Sequence, residues 1–244
     1  MVTSRLTQVT SGVGIVIPAL NEEKNIADVL CKLRNLGYSK VLVIDGKSKD
    51  GTIKVAEENG AQVVLQTGKG KGAAIRQVFC NNYMDFEAMV LMDADGSMVP
   101  DEIPAYIDAL SSGADIVKGS RFLKDGYTHD MSTLRRFGNR LMVSVVNFLW
   151  QEAGYTDLCY GYAVFNKRAI EKLAPVLESE GFEIETEIFV KALDLGLVVK
   201  EVSSVEYERK HGTSNLHSFR DGFKIFKTIF VEFVNSHMPI DTWD

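Results

Sequence analysis

The sequence lacks the features that mark several protein classes. It has three cysteines, Cys31, Cys80 and Cys159, and no Cys-x-x-Cys pair, so neither a disulfide framework nor a zinc ribbon is expected. No apolar run approaches the roughly 18 residues that span a bilayer. No basic stretch precedes an apolar one at the N-terminus, as it would in a signal peptide. We therefore expect reduced thiols and a cytoplasmic protein, either soluble or peripheral to a membrane.

Charge and glycine patterns exclude further classes. The net charge of −6 and the pI near 5.4 argue against a nucleic-acid partner, because neutralising phosphates needs a basic face. No Gly-x-Gly-x-x-Gly follows the first apolar run, which disfavours a dinucleotide oxidoreductase. No Walker A sequence occurs either. Hydrophobic residues make up 45% and charged residues 25%, as in an ordinary globular protein.

The chain alternates short apolar runs with amphipathic stretches. Strands are predicted at 13–18, 41–44, 62–65, 89–92, 115–118 and 198–202, and residues 156–165 approach another. Helices are predicted at about 51–59, 73–83, 100–111, 134–150, 185–195 and 219–234, with a loop at 119–133. A further helix follows Asn21, which is predicted to cap it. This alternation indicates an α/β fold, a doubly wound and mostly parallel sheet with flanking helices, and a single domain over 1–244.

Polar residues follow three of the predicted strands, where ligands bind in such sheets. Asn21 and Glu22 follow the first strand, Asp45 the second, and the segment Asp93-Ala94-Asp95 the fourth. Two carboxylates so placed cannot enter the core without a large desolvation cost, but at the strand end they can share Mg²⁺ or Mn²⁺. Such a cation would neutralise a diphosphate leaving group. A solvated turn is the alternative for the acidic pair, and we interpret Asp45 as facing the base or ribose of a nucleotide.

The segment Gly68-Lys69-Gly70-Lys71-Gly72 precedes the helix predicted at 73–83. Its glycines allow close approach of the backbone to a ligand, and a helix N-terminus favours anions. A flexible loop is the alternative.

Taken in order, these motifs resemble those of family 2 glycosyltransferases, which have the GT-A fold. The resemblance extends over about 13–216 and rests on Val16–Glu22, Asp45–Thr52, Gly70–Gly72, Asp93–Asp95, Gly119–Phe122 and Arg209-x-x-Gly212-x-Ser214. Within the family it is to the polyprenyl-phosphate branch, which includes dolichyl-phosphate mannose synthases. It implies inverting, metal-dependent transfer of a hexose from a UDP- or GDP-sugar to a polyprenyl phosphate. The alternatives are transfer to a glycan or small-molecule hydroxyl, and a nucleotide-sugar-binding or nucleotidyltransferase module without glycosyl transfer.

The resemblance also implies roles for individual residues. The nucleotide-sugar pocket would contain Pro18, Ala19, Asn21, Glu22, Asp45, Lys71 and Ala94. Asp93 and Asp95 would bind the metal and the diphosphate, with Asp95 also acting in catalysis. The phosphate or diphosphate groups would be held by Arg121, Arg209 and either Arg135 or Arg136, because a planar guanidinium suits bidentate contacts.

The need for a general base depends on the acceptor. A hydroxyl acceptor needs one, whereas a phosphate acceptor is already ionised at neutral pH. Asp157 and Glu185 are the candidate bases. For Glu185 and its acidic neighbours a solvated helix start is the alternative.

The last predicted helix carries five phenylalanines on one face, with basic residues between them. The phenylalanines are Phe219, Phe223, Phe226, Phe230 and Phe233, and the basic residues are Arg220, Lys224 and Lys227. One interpretation is that the helix packs on the domain or on a second copy in a homodimer. The other is that it lies on anionic lipid at the inner face of a membrane, close to a polyprenyl carrier.

Overall fold

In a computed structural model, which describes residues 10, 12–213 and 216–237, strands and helices alternate along the chain. The strands are β1 (Val13–Ala19), β2 (Lys40–Asp45), β3 (Gln62–Leu65), β4 (Ala88–Leu91), β5 (Ile116–Ser120), β6 (Tyr127–Thr128), β7 (Ala163–Asn166), β8 (Val199–Ser203) and β9 (Val205–Glu206). The helices are α1 (Glu23–Asn35), α2 (Thr52–Glu58), α3 (Lys71–Cys80), α4 (Ile103–Ser111, after a 3₁₀ turn at Pro100–Glu102), α5 (Thr133–Leu149), α6 (Lys167–Leu173), α7 (Ile184–Asp194) and α8 (Ser218–His237).

Seven strands form one sheet in the order β3-β2-β1-β4-β7-β5-β8. β1 pairs in parallel with β2 and β4, β2 pairs in parallel with β3, and β5 pairs in parallel with β8. β7 runs antiparallel between β4 and β5. The mostly parallel sheet predicted from the sequence is therefore confirmed, with one reversed strand in its interior. β6 lies within the segment predicted as a loop and pairs with β9 in a separate two-stranded sheet.

Helices cover both faces of the sheet because the strand residues alternate between two apolar clusters. In β1, Val16 belongs to one cluster, while Ile15 and Ile17 belong to the other. Residues of α3, α5, α6, α7 and α8 join the cluster of Val16. Residues of α1, α2 and α4 join the opposite cluster. This two-sided cover agrees with the predicted doubly wound fold, and it leaves the strand ends as the place for polar groups.

The predicted capping of α1 by Asn21 is wrong. Helix α1 begins at Glu23, with Glu22 at the N-cap position and no side-chain cap. Asn21 has a φ of 57°, a left-handed conformation that asparagine tolerates better than most residues. Its Oδ1 accepts a bond from the Lys49 backbone N at 2.8 Å, and its own N donates to Ser48 Oγ at 2.8 Å. Asn21 therefore ties the loop after β1 to the loop after β2.

Helix α8 packs against α5 and α7 through one side. Ile225 and Ile229 are buried in the core, and Phe233 meets the Trp150 ring edge-on at 5.5 Å. The buried Glu232 pairs with Lys191 of α7 at 2.7 Å. Phe223 and Phe230, on other sides of the helix, stay exposed. In the ranges described above, no helix combines the length and the apolar character needed to cross a membrane.

The packing of α8 can be tested by two neighbouring alanine substitutions. Ile229→Ala should lower the free energy of unfolding by about 2–4 kcal/mol, because it leaves a cavity at a buried position. Phe230→Ala removes a larger side chain that is exposed, and should change the stability by less than about 0.5 kcal/mol. Urea unfolding measures both. Equal losses in the two variants would contradict the described orientation of α8.

Candidate active site

A cavity of about 780 Å³ opens at the carboxyl ends of β1, β2 and β4. At one end its lining includes Pro18 and Ala19, the segment 93–95 and the glycine-rich segment 68–71. We call this the strand end. At the other, the helix end, it is lined by residues of α5 and α8 and of the loops before them. The cavity therefore joins the predicted nucleotide motifs to helices from the second half of the chain.

The Lys71 ammonium connects the acidic pair to α7. Its Nζ lies 2.5 Å from Asp93 Oδ1 and 2.6 Å from Glu185 Oε1. Burial acts to lower the pKa of Lys71, but the charges of Asp93 and Glu185 outweigh it and hold that pKa above its ordinary value. Burial and the Asp93 charge raise the pKa of Glu185, although Lys71 opposes them. Lys71 therefore stays protonated and lies between two carboxylates at the cavity wall.

Arg209 makes a second bridge of the same kind. Its Nη2 lies 2.9 Å from Asp95 Oδ2, and its Nη1 lies 3.0 Å from Glu22 Oε1. The other oxygen of Asp95 accepts bonds from Ser97 N and Ser97 Oγ, at 2.9 and 2.7 Å. Burial raises the pKa of Glu22, which bonds to Asn25 and Arg209 offset in part. The structure thus brings Glu22, Asp95 and Arg209 together, as the motifs predict.

The position of Lys71 depends on the glycines beside it. A Cβ on Gly70 would lie 2.3 Å from the Glu180 carbonyl oxygen, and a Cβ on Gly72 would lie 2.3 Å from the Ser179 carbonyl oxygen. The backbone N–H groups of Gly72 and Ala73 donate to the Glu180 carbonyl, at 2.9 and 3.2 Å. The prediction that this helix start is open to an anion is therefore wrong for these two N–H groups, which are used within the protein, whereas contact of the rest of the segment with a ligand stays a prediction. The glycines instead let Lys71, the first residue of α3, lie against the segment before α7.

Asp45 and Asn21 hold loops in this structure. Asp45 is fully buried, and its carboxylate accepts bonds from Ser48 N at 2.7 Å and Ser48 Oγ at 2.6 Å. Neither Asp45 nor Asn21 is among the residues that line the cavity. From the loops after β1 and β2, the cavity is lined by Leu20, Glu22, Gly46 and Lys47. Contact of Asp45 or Asn21 with a nucleotide stays a prediction.

The general-base role predicted for Asp157 is wrong. Asp157 is fully buried, and Arg121 bonds to both of its oxygens, with Nε 2.7 Å from Oδ2 and Nη2 2.9 Å from Oδ1. Burial acts to raise the pKa of Asp157, but the Arg121 charge and hydrogen bonds outweigh it and hold that pKa below its ordinary value. A weakly basic carboxylate without access to the cavity cannot take a proton from an acceptor.

Arg121 itself lines the cavity but is bonded on every side. Besides Asp157, it pairs with Glu206 at 3.0 Å, donates to the Cys159 carbonyl at 2.7 Å and stacks over the Tyr160 ring. Its predicted contact with a phosphate stays a prediction.

Of the two alternatives Arg135 and Arg136, the structure brings Arg135 to the cavity. The Arg135 guanidinium donates to Ser218 Oγ and to the Leu216 carbonyl, each at 3.2 Å. Arg136 lies over the Phe122 ring instead, 5.7 Å from its centroid. Further polar residues line the cavity without having been predicted to do so, among them Gln66, Asp130, Asn139, Glu206, Ser218 and Arg220. Only Arg220 had a signal, as part of the basic pattern of the last helix, and Ser214 lies outside the described residues.

The acidic pair suits a hard divalent cation. Asp93 and Asp95 offer carboxylate oxygens at the cavity wall, and Mg²⁺ or Mn²⁺ commonly completes its shell with water and phosphate oxygens. Across the described part of the chain, no three acidic, histidine or cysteine side chains come close enough to form a metal site by themselves. Such a donor set fits a cation that arrives with a phosphate-bearing ligand.

Comparison with known proteins shows which proteins this chain resembles. Glycosyltransferase AglJ of Haloferax volcanii is 36% identical over 217 residues, which cover 88% of this chain and 70% of that protein. Polyprenol monophosphomannose synthase of Mycolicibacterium smegmatis is 29% identical, over 83% of this chain and 80% of that protein. Glucosyl-3-phosphoglycerate synthase from Mycobacterium tuberculosis, solved with Mn²⁺, UDP-glucose and phosphoglyceric acid, shares the fold with a TM-score of 0.75 and 21% identity. That likeness covers 94% of this chain and 83% of the other.

Residues 14–174, which contain the strand-end motifs and the acidic pair, match the family described as Glycosyl transferase family 2. The chain therefore belongs to glycosyl transferase family 2 and is a glycosyltransferase with the GT-A fold.

Proposed function

We propose that the protein transfers a hexose from a UDP- or GDP-sugar to a polyprenyl phosphate, with inversion at the anomeric carbon and with Mg²⁺ or Mn²⁺. The observation that carries the proposal is that one cavity contains the acidic pair at its strand end and continues into a helix end that is basic and apolar. A nucleotide-sugar and a lipid phosphate need these two environments side by side.

The strand end suits the donor. Pro18, Ala19 and Gly46 offer backbone and small apolar surface for the nucleoside. Asp93 and Asp95 would hold the cation, which would neutralise the diphosphate as the sugar leaves. Lys71 and Arg209 supply further positive charge at the same place, and charge-assisted bonds from such groups orient phosphate oxygens.

The helix end suits a lipid phosphate. Arg135 and Arg220 can bind the phosphate, and five apolar side chains lie beside them: Met131, Leu134, Met142, Phe219 and Ile225. A phosphate oxygen is ionised at neutral pH and can attack without a general base. Glu185 also lines the cavity, which keeps transfer to a hydroxyl as the second candidate, with Glu185 as the base.

We also propose that α5 and α8 rest on a membrane surface. Three phenylalanines of these helices are largely exposed: Phe148 at 79%, Phe219 at 82% and Phe223 at 72%. Exposed aromatic patches of this kind mark interaction surfaces. Arg140, Lys224 and Lys227 are exposed on the same two helices, and basic residues among aromatic ones favour anionic lipid. Because Phe219 also lines the cavity, the apolar surface continues into the helix end. Location at the inner face of the membrane stays a prediction.

The role of the acidic pair is tested by Asp95→Asn. Transfer should fall by at least about a hundredfold in kcat, because the change removes a charge that the proposed cation needs. The assay uses UDP- and GDP-hexoses, Mn²⁺ and a polyprenyl phosphate. Asp108→Asn, at an exposed position of α4, should keep full activity. A fully active Asp95→Asn variant would refute metal-assisted transfer.

The acceptor assignment is tested by comparing two adjacent arginines. Arg135→Met should raise the KM for the polyprenyl phosphate by about tenfold or more, because it removes a charge-assisted phosphate contact. Arg136→Met should leave that KM within about twofold, since Arg136 stacks on Phe122 away from the cavity. Donor KM should stay constant in both variants. If both variants changed the acceptor KM alike, the assignment of Arg135 to the lipid phosphate would be refuted.

The membrane contact is tested by reversing charge on α8. The double variant Lys224→Glu/Lys227→Glu should bind phosphatidylglycerol vesicles at least about tenfold more weakly, because each basic residue near such a surface contributes roughly 1 kcal/mol. Lys54→Glu on α2, also exposed, is the matched control. Co-sedimentation with the vesicles measures binding, and light scattering reports the oligomeric state. Unchanged vesicle binding with a lost dimer would show that the face joins two copies instead.

A further inference from the structure

Each aspartate of the acidic pair is bonded to a basic side chain that is also bonded to a glutamate. Lys71 bonds Asp93 and Glu185, and Arg209 bonds Asp95 and Glu22. All four bonds are between 2.5 and 3.0 Å long. Lys71 and Arg209 can therefore each leave the aspartate and still keep the glutamate as a partner.

These bridges occupy oxygens that a metal ion would need. Lys71 is on Oδ1 of Asp93 and Arg209 is on Oδ2 of Asp95, whose Oδ1 is taken by Ser97. A divalent cation that binds to these oxygens without a nucleotide must displace both positive groups and then remain beside them. Same-sign charges at such distances repel strongly where side chains are largely buried.

A nucleoside diphosphate that binds alone meets the opposite difficulty. Lys71 and Arg209 are each already bonded to two carboxylates, so a diphosphate that binds alone must compete with those carboxylates for both basic groups. When metal and diphosphate arrive together, the metal takes the aspartates and the diphosphate takes Lys71 and Arg209. Each group that one ligand displaces is then a partner for the other ligand.

We propose that Lys71 and Arg209 are exchangeable counter-ions of the metal site, held in place by Glu185 and Glu22, and that they make metal and nucleotide binding strongly interdependent. The proposal rests on the proposed function, since its ligands are the cation and the nucleotide of that reaction. Such coupling is reciprocal: the nucleotide strengthens metal binding by the factor by which the metal strengthens nucleotide binding.

The experiment measures Mn²⁺ binding by the electron paramagnetic resonance signal of free Mn²⁺, with and without UDP or GDP and after correction for metal bound by free nucleotide. For the unaltered protein, UDP or GDP should tighten Mn²⁺ binding at least about tenfold. Lys71→Met should tighten binding of Mn²⁺ alone by about tenfold, because Asp93 loses its competing cation, and should reduce the coupling.

Glu185→Gln should act in the opposite direction. With its second carboxylate gone, Lys71 stays on Asp93, so Mn²⁺ alone should bind more weakly. A merely structural role would weaken binding in both variants. Lys54→Met changes an exposed lysine of α2 that does not line the cavity and should leave Mn²⁺ binding unchanged. Melting temperatures verify that each variant is folded.

Two results would overturn the proposal, and they are distinguishable. If Mn²⁺ bound equally well with and without nucleotide, and Lys71→Met did not tighten it, the counter-ion role would be wrong while the metal site would stand. If Mn²⁺ bound to no variant even with UDP or GDP, the metal dependence of the proposed function would fail as well.

Discussion

The site depends on a buried ammonium group, that of Lys71. Its two carboxylate partners lie 22 and 114 residues away along the chain, so one charge links α3, the end of β4 and the start of α7. A buried cation without partners would be very costly, and with two it fixes their positions. The backbone at Gly70 and Gly72 lies close to residues 179 and 180, which keeps Lys71 beside its partner on α7. A side chain at either glycine would push Lys71 away from α7.

Two arginines at the cavity also bridge pairs of carboxylates. Arg209 reaches back 187 residues to Glu22 and 114 to Asp95, joining the last part of the described chain to the loops after β1 and β4. Arg121, which is more deeply buried, also bonds two carboxylates, those of Asp157 and Glu206. Acidic residues converge on this edge of the sheet because cationic side chains bind them in pairs. This explains why Asp157, acidic and near the site, serves to hold an arginine rather than to accept a proton.

Much of the fold was predictable, and the reasons for the failures are physical. Alternation of apolar runs predicts the strands and helices, and strand-end chemistry predicts that Asp93 and Asp95 line a cavity. The direction of β7 was not predictable, because the periodicity of a strand does not encode its orientation. The errors at Asn21, at the start of α3 and at Asp157 share one cause. Each of those groups has its hydrogen bonds satisfied by a partner distant in sequence, which local patterns do not reveal.

Helix α8 shows how one element can serve both the core and the proposed acceptor. Ile225 and Ile229 bury one side against the core, while Phe226 and Phe230, one residue further along in each case, remain exposed. Ile225 also lines the cavity that Phe219 borders at the beginning of the helix. The wall of the cavity and the exposed apolar surface are therefore sides of the same helix. For a lipid phosphate this geometry has a direct consequence: the phosphate can reach Arg135 while the hydrocarbon chain stays against apolar side chains, so the acceptor need not be transferred into water before it reacts.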